Sequence, residues 1–205
     1  MNHRIVRLCR SLVLVPLLLV PAWAGAWYVG VGFGPTNNEY QPTFNPVNSS
    51  IDDSDTAYKL IFGQQLGANF AVELEYADLG DLVRHTGPGI NLTMQGASLA
   101  ASAIGRFPVY PGWTMFGRLG YGYWNTDLDV IGASGSDNGF APVIGLGIEY
   151  SGFVTGASRF GLAVEWQQYQ NVGEGTSAGT TRLTGQNVDV LWLRLTYHFN
   201  LAPGP

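Results

Sequence analysis

The stretch 187–199, NVDVLWLRLTYHF, alternates strictly. Leu191, Leu193, Leu195, Tyr197 and Phe199 fall on one side of a two-residue period, and Val190, Trp192, Arg194, Thr196 and His198 on the other. Successive side chains of a strand point to opposite faces, so this period specifies a β-strand and not a helix. The first face is unbroken hydrocarbon and aromatic ring, while the second carries an arginine at mid-strand. A soluble sandwich buries the first face and hydrates the second. A membrane barrel puts the first on lipid and the second on the lumen. Charged residues are only 12% of the chain, against roughly 25% in soluble proteins, which favours lipid.

Residues 1–26 read as a cleaved export signal. Arg4, Arg7 and Arg10 form a basic leader ahead of an apolar core at 12–20, LVLVPLLLV. Ala22-Trp23-Ala24 and Ala24-Gly25-Ala26 are both small–x–small cleavage sites, so cleavage after Ala24 or Ala26 stays open. The alternative is an uncleaved anchor helix. Pro16 and a core far short of the roughly 20 residues a spanning helix needs argue against it. Cys9, the single cysteine, precedes that core and so cannot be a lipid-anchor cysteine. The mature chain then has no disulfide and no thiolate metal site. Without the three leader arginines, seven Lys and Arg face fifteen Asp and Glu, a net of −8. That balance argues against a nucleic-acid partner.

Seven further stretches repeat the alternation: 27–34, 56–65, 70–78, 95–107, 113–125, 139–150 and 159–169. Most approach the nine to eleven residues, roughly, of a tilted spanning strand. The alanine-rich 95–107 also suits an amphipathic helix, but its neighbours favour a strand. Short turns at 66–69, 108–112 and 151–158 alternate with long polar loops at 35–55, 80–94, 126–138 and 171–186. Short periplasmic turns and long external loops are the pattern of outer-membrane barrels. The expectation is an all-β, eight-stranded antiparallel up-and-down transmembrane β-barrel over 27–200. It has four long extracellular loops, both termini periplasmic and a tail at 201–205. A closed barrel leaves no strand edge that demands a partner, so a monomer is expected.

The aromatic residues follow the same pattern. Trp27, Phe70, Phe107, Trp113, Tyr150, Phe160, Tyr197 and Phe199 fall on the outward parity at the short-turn end. Tyr58, Tyr76, Tyr123, Phe140 and Trp166 are outward too, most of them toward the loops. Two outward girdles are what two membrane interfaces select, and a soluble barrel has no use for them.

Several segments resemble the transmembrane domain of the outer membrane protein A (OmpA)-like family. They are Trp27-Tyr28-Val29-Gly30, Glu73-Leu74-Glu75-Tyr76, Gly117-Arg118-Leu119-Gly120 with Trp124, Ala141-Pro142-Val143 through Gly147-Ile148-Glu149-Tyr150, and Tyr197-His198-Phe199. The likeness covers essentially the whole mature chain and rests on the ordered set rather than on one motif. Full-length relatives continue into a Pro-rich linker and a peptidoglycan-binding domain. This sequence stops at Pro205, so a cell-wall tethering role is not carried over.

By parity the lumen receives Lys59, Arg106, Arg118 and Arg194 against Glu73, Glu75, Glu149 and Glu165. The signs balance. An eight-stranded barrel is just wide enough for side chains to fill it, and a buried charge without a partner costs several kcal/mol. The resemblance implies a charge network at Glu73, Arg118, Glu149 and Glu165. This sequence departs from it at Ala163 and Ile104, where relatives carry a base, and Lys59, Arg106 and Arg194 are the candidate substitutes. Two roles are open: a salt-bridged plug, or a gate whose pairs exchange to open a narrow, low-conductance pore. Arg159 shares the inward parity at the turn end, where it can reach water.

Catalysis is not expected. A lipid-directed hydrolase needs a serine, a histidine and a carboxylate together. Only His85, in a loop, and His198, at the periplasmic end, remain in the mature chain, and neither has a nucleophile at close spacing. No cofactor or metal site is expected. The loops are acidic at Glu39, Asp52, Asp53, Asp55, Asp81, Asp127, Asp129, Asp137 and Glu174. They form either a solvated, repulsive surface or carboxylates bridged by divalent cations to lipopolysaccharide phosphates. Asp52-Asp53-Ser54-Asp55 lacks calcium-loop spacing. Leu195, Tyr197 and Phe199 resemble the C-terminal signal read by the barrel-assembly machinery, through pairing of an exposed strand edge. The expected partners are thus outer-membrane lipids, lipopolysaccharide, that machinery, and an extracellular ligand the sequence does not name.

Overall fold

A computed structural model describes residues 26–38, 50–52, 55–87, 90–130, 133–156, 158–174, 177–178, 181–182 and 186–199. Eight long strands run up and down: β1 (Trp27–Asn38), β2 (Thr56–Gln65), β3 (Phe70–Gly87), β4 (Ile90–Tyr110), β5 (Trp113–Val130), β6 (Ala133–Thr155), β7 (Ser158–Val172) and β8 (Gln186–Phe199). Each pairs antiparallel with its neighbours in sequence. The sheet closes where β1 meets β8, from Trp27 opposite Phe199 to Asn38 opposite Val188. Closure leaves no row of unpaired peptide groups, the condition hydrocarbon imposes on a spanning structure.

The alternation is inside out. On β5, Arg118 is 4% exposed and the next residue, Leu119, is 68% exposed. Val31, Phe62, Leu74, Leu146, Leu162 and Leu195 are likewise exposed, while Glu73, Glu149, Glu165 and Arg194 are buried. Water would reverse that choice and a bilayer favours it. The outward aromatics gather in pairs toward the strand ends. Trp27 packs on Phe62 at 5.1 Å, Trp113 on Tyr150 at 5.0 Å and Phe160 on Tyr197 at 5.0 Å near the turns. Tyr123 meets Phe140 at 5.3 Å toward the loops. Phe33, Phe62, Tyr110, Tyr121 and Phe153 are also exposed, which widens both girdles beyond the residues expected.

Two expected loops are corrected. Residues 80–94 are not a loop: β3 and β4 continue as a hairpin to Gly87 opposite Ile90. Residues 126–138 are a second hairpin, closing at Val130 opposite Ala133. Antiparallel pairing supplies the backbone groups that face the neighbouring strand with partners, so pairing outlasts the membrane band even in polar sequence. The alternation persists as well, with Leu79, Met94 and Leu128 fully buried. Residues 95–107 lie in β4, so the helical alternative fails. The first expected loop holds a short strand, Ser50–Asp52, beside β3. The fourth holds a two-residue ladder, Ser177–Ala178 with Thr181–Arg182. Residues 1–25 of the export signal, the tail, and residues 39–49, 53–54, 175–176, 179–180 and 183–185 of these two loops lie outside the described residues.

Small residues make room inside. A Cβ on Gly63 would strike the Tyr28 ring at 2.2 Å, and one on Gly147 the Phe116 ring at 2.4 Å. Each glycine lies on the inner face and lets a neighbouring strand lay a ring across the lumen.

A charged layer and an apolar layer in the lumen

All eight lumen charges point inward and are buried, each held by a strand whose other face is on lipid. Six form one neutral cluster at mid-barrel, Lys59, Arg118 and Arg194 with Glu73, Glu75 and Glu165. Arg118 is the hub: Nε donates to Glu165 Oε1 at 2.7 Å, Nη1 to Glu75 Oε2 at 2.9 Å, and Nη2 to Glu73 Oε2. Arg194 donates to Glu73 and, at 3.4 Å, to Glu165 Oε2. Lys59 Nζ reaches Glu165 Oε2 at 2.8 Å and Glu75 Oε2 at 3.2 Å. The remaining pair lies nearer the turns, where Arg106 Nη2 donates to Glu149 Oε1 at 2.7 Å.

Neutral donors complete the carboxylates. Tyr28 O–H donates to Glu73 Oε1, and Tyr169 O–H and Gln167 Nε2 both donate to Glu75 Oε1, each at 2.7 Å. Gln167 Oε1 accepts from Lys59 at 2.8 Å. Two cations also lie over rings, Lys59 4.5 Å from Trp192 and Arg194 5.3 Å from Phe116. Every carboxylate oxygen of the six-group cluster has a donor, the condition under which buried charges are tolerable. Lys59 and Arg194 thus supply the cluster's second and third cations, and Arg106 serves Glu149.

Strand β8 crosses the layers in order. Val188, Val190 and Trp192 come first from the loop end, then Arg194, then Thr196 and His198, all buried. Above the charges, Leu79, Met94, Trp124, Leu128, Val143, Val172, Val188, Val190 and Trp192 form one contiguous apolar cluster. Below them Tyr28, Ile61, Ala71, Ile104, Phe116 and Ala163 form another. The upper layer was not anticipated, because several of its members sit in segments that read as loops. Trp124 and Trp192 on the inward parity were the available signal, and Tyr28 and Tyr169 likewise marked donors for the carboxylates.

His198 stacks on Tyr28 at 4.8 Å, with Nε2 3.3 Å from Thr196 Oγ1. Its Nδ1 has no partner, so no carboxylate orients the ring toward Thr196. The side chain of His85 lies outside the described residues, as do the side chains of Glu39, Asp52 and Asp53. Asp55 is structural: it accepts from the Thr56 N–H at 2.7 Å and the Asp81 N–H at 2.8 Å, tying two loop bases together. Leu195, Tyr197 and Phe199 point outward on β8, and Tyr197 O–H lies 2.9 Å from Ser158 Oγ.

A match to the family described as OmpA-like transmembrane domain spans residues 22–202. The chain belongs to that family. Outer membrane protein A of Yersinia pseudotuberculosis is 28% identical over 163 residues, covering 75% of this chain and 44% of the relative. The chain therefore spans less than half the length of that relative. Neisserial surface protein A superposes with a TM-score of 0.54 at 12% identity, over 83% of this chain and 95% of that one. The outer membrane protein OprG from Pseudomonas aeruginosa gives 0.52 at 17% identity, over 85% and 96%. At such identities the two structures speak for the fold. This OmpA-like barrel is an outer-membrane protein.

Proposed function

We propose that the chain is a non-conducting, non-catalytic barrel of a Gram-negative outer membrane, exported by a signal at 1–26. It anchors four connections, two long hairpins and two loops, that meet the cell's surroundings and carry acidic residues at Asp55, Asp127, Asp129 and Asp137. One observation carries this reading: an apolar layer, a six-charge layer and a mixed layer of apolar side chains with the Arg106–Glu149 pair follow one another across the lumen, with buried side chains in each. A water path would have to displace a fully paired six-charge cluster, and breaking one such pair costs about 3–5 kcal/mol. Single-channel recording of the refolded protein in planar bilayers tests it. Silence is expected, and a steady, salt-dependent conductance sinks it.

A narrow pore is the second reading. Its support is that Glu73 and Glu165 each touch two or more cations, so pairs could exchange without leaving a charge bare. The carboxylates at the loop end suit divalent cations bridging to lipopolysaccharide phosphates. Chelation should then lower thermal stability in lipopolysaccharide vesicles but not in phospholipid ones, and equal shifts in both would remove this contact. The closing strand is proposed to be read by the assembly machinery.

A further inference from the structure

The end of the barrel opposite the acidic loops carries no charge in its turns. Residues 66–69 read LGAN, 108–112 PVYPG and 151–158 SGFVTGAS. Val109, Tyr110, Phe153 and Val154 are nevertheless each more than half exposed. Turns built to face water carry polar side chains, so these turns suit the headgroup zone of the bilayer, where amphipathic rings settle.

Two of the turns are joined. The Ser151 N–H donates to Gly112 O at 2.8 Å. Tyr150 lies between Trp113 at 5.0 Å and Phe153 at 5.3 Å. Gly112 has φ +81°, and a Cβ there would meet the Tyr150 ring at 3.0 Å. The pairing of β6 with β7 slips between Tyr150 and Phe153, which parts the second turn from the first. Between them lies an open groove of about 680 Å³ lined by Pro108, Tyr110, Trp113, Val154 and Arg159 among others.

Arg159 is the one charged residue in that lining. Its Nε is buried without a hydrogen-bond partner. The carboxylate that acts on it, Glu149, bonds Arg106 through Oε1 at 2.7 Å, and its Oε2, also without a hydrogen-bond partner, makes no ion pair with Arg159. A half-buried guanidinium that forms no ion pair among the described residues can take an anion from outside, and its fork of donors matches phosphate. At this depth the abundant phosphate is that of a membrane lipid.

We propose that this groove seats the headgroup of an anionic phospholipid of the periplasmic leaflet. The phosphate rests on Arg159, and the glycerol and first methylenes rest on Tyr110, Trp113 and Val154. The arrangement gives the barrel a fixed depth on its periplasmic side, independent of what closes the lumen.

Native mass spectrometry of the protein extracted from outer membranes tests this, with phosphatidylglycerol and diacylglycerol of the same chains added in turn. The wild type should retain phosphatidylglycerol about fivefold better than R159Q, the scale of one basic side chain at an anionic lipid surface. R182Q, in a loop at the other end, should match the wild type. Equal retention by R159Q and wild type overturns the proposal, and so does equal retention of diacylglycerol. Should R159Q fail to fold, V154E places a carboxylate beside Arg159, its register partner, and should remove the headgroup preference. A photo-reactive residue at Val109 should cross-link to lipid in cells. Adducts to a protein instead would make this a protein-docking face and overturn the lipid site.

Discussion

Trp192 and Arg194 sit one lumen position apart on β8, and the layers they belong to are held together in different ways. The apolar layer around Trp192, Trp124 and Leu128 is held by contact area, which is non-directional and roughly additive. The charged layer around Arg194 and Arg118 is held by partnership, in which each group is tolerable only while the others stay. Losing a methylene from the first costs in proportion, whereas losing a charge from the second strands its partners in low dielectric. The outer wall is a third case, where lipid tails replace whatever a side chain gives up.

The sharpest way to break this contrast is Arg118→Ala. It deprives Glu73, Glu75 and Glu165 of a donor at once and should cost about 3–5 kcal/mol. Urea unfolding in detergent reads it, and a midpoint equal to that of Arg159→Ala would refute the hub role. Arg106→Met should cost less, about 3 kcal/mol at the low end for a broken buried pair, because Glu149 alone loses its partner. Adding Glu149→Leu should restore most of that loss, since a buried pair replaced whole is often neutral. A double variant no better than the single would show that the pair does more than satisfy itself.

Leu128→Ala in the apolar layer should cost about 2 kcal/mol, the low end for a buried leucine because the layer ends near the loops. Leu119→Ala on the lipid face should cost under about 1 kcal/mol, with lipid filling the space. If Leu119→Ala proved the worse of the two by tryptophan-monitored unfolding, the inside-out assignment would be in trouble. Phe199→Ala should barely move the unfolding midpoint yet slow appearance at the cell surface. Equal surface levels over time would count against an assembly signal in the closing strand.

Strand count, closure and the sense of each face were legible because period-two alternation survives in every stretch from Trp27 to Phe199. The eight inward charges followed from parity alone. Their pairing did not, because parity fixes a face but not an angle around the barrel, and partners such as Lys59 and Glu165 lie 106 residues apart. The hairpins ending at Gly87 and Val130 were hidden by Gly, Asp and Thr, which mark loops only when no neighbouring strand supplies hydrogen bonds. With Met94 and Leu128 read as loop residues, the upper layer lost its side walls, and the inward indoles of Trp124 and Trp192 were left without company.

The central claim is that water does not enter the lumen between its two ends. Residues 27–199 contain no cysteine, so single thiols can be placed there as reporters. Ala100→Cys and Ala163→Cys lie on the buried inner face, and Ser136→Cys is exposed near the loops. Treated with a membrane-impermeant thiol reagent in vesicles, Ser136→Cys should label within minutes. Ala100→Cys and Ala163→Cys should label only after unfolding in urea. Labelling of either lumen cysteine in the folded barrel at the loop cysteine's rate would contradict the sealed lumen.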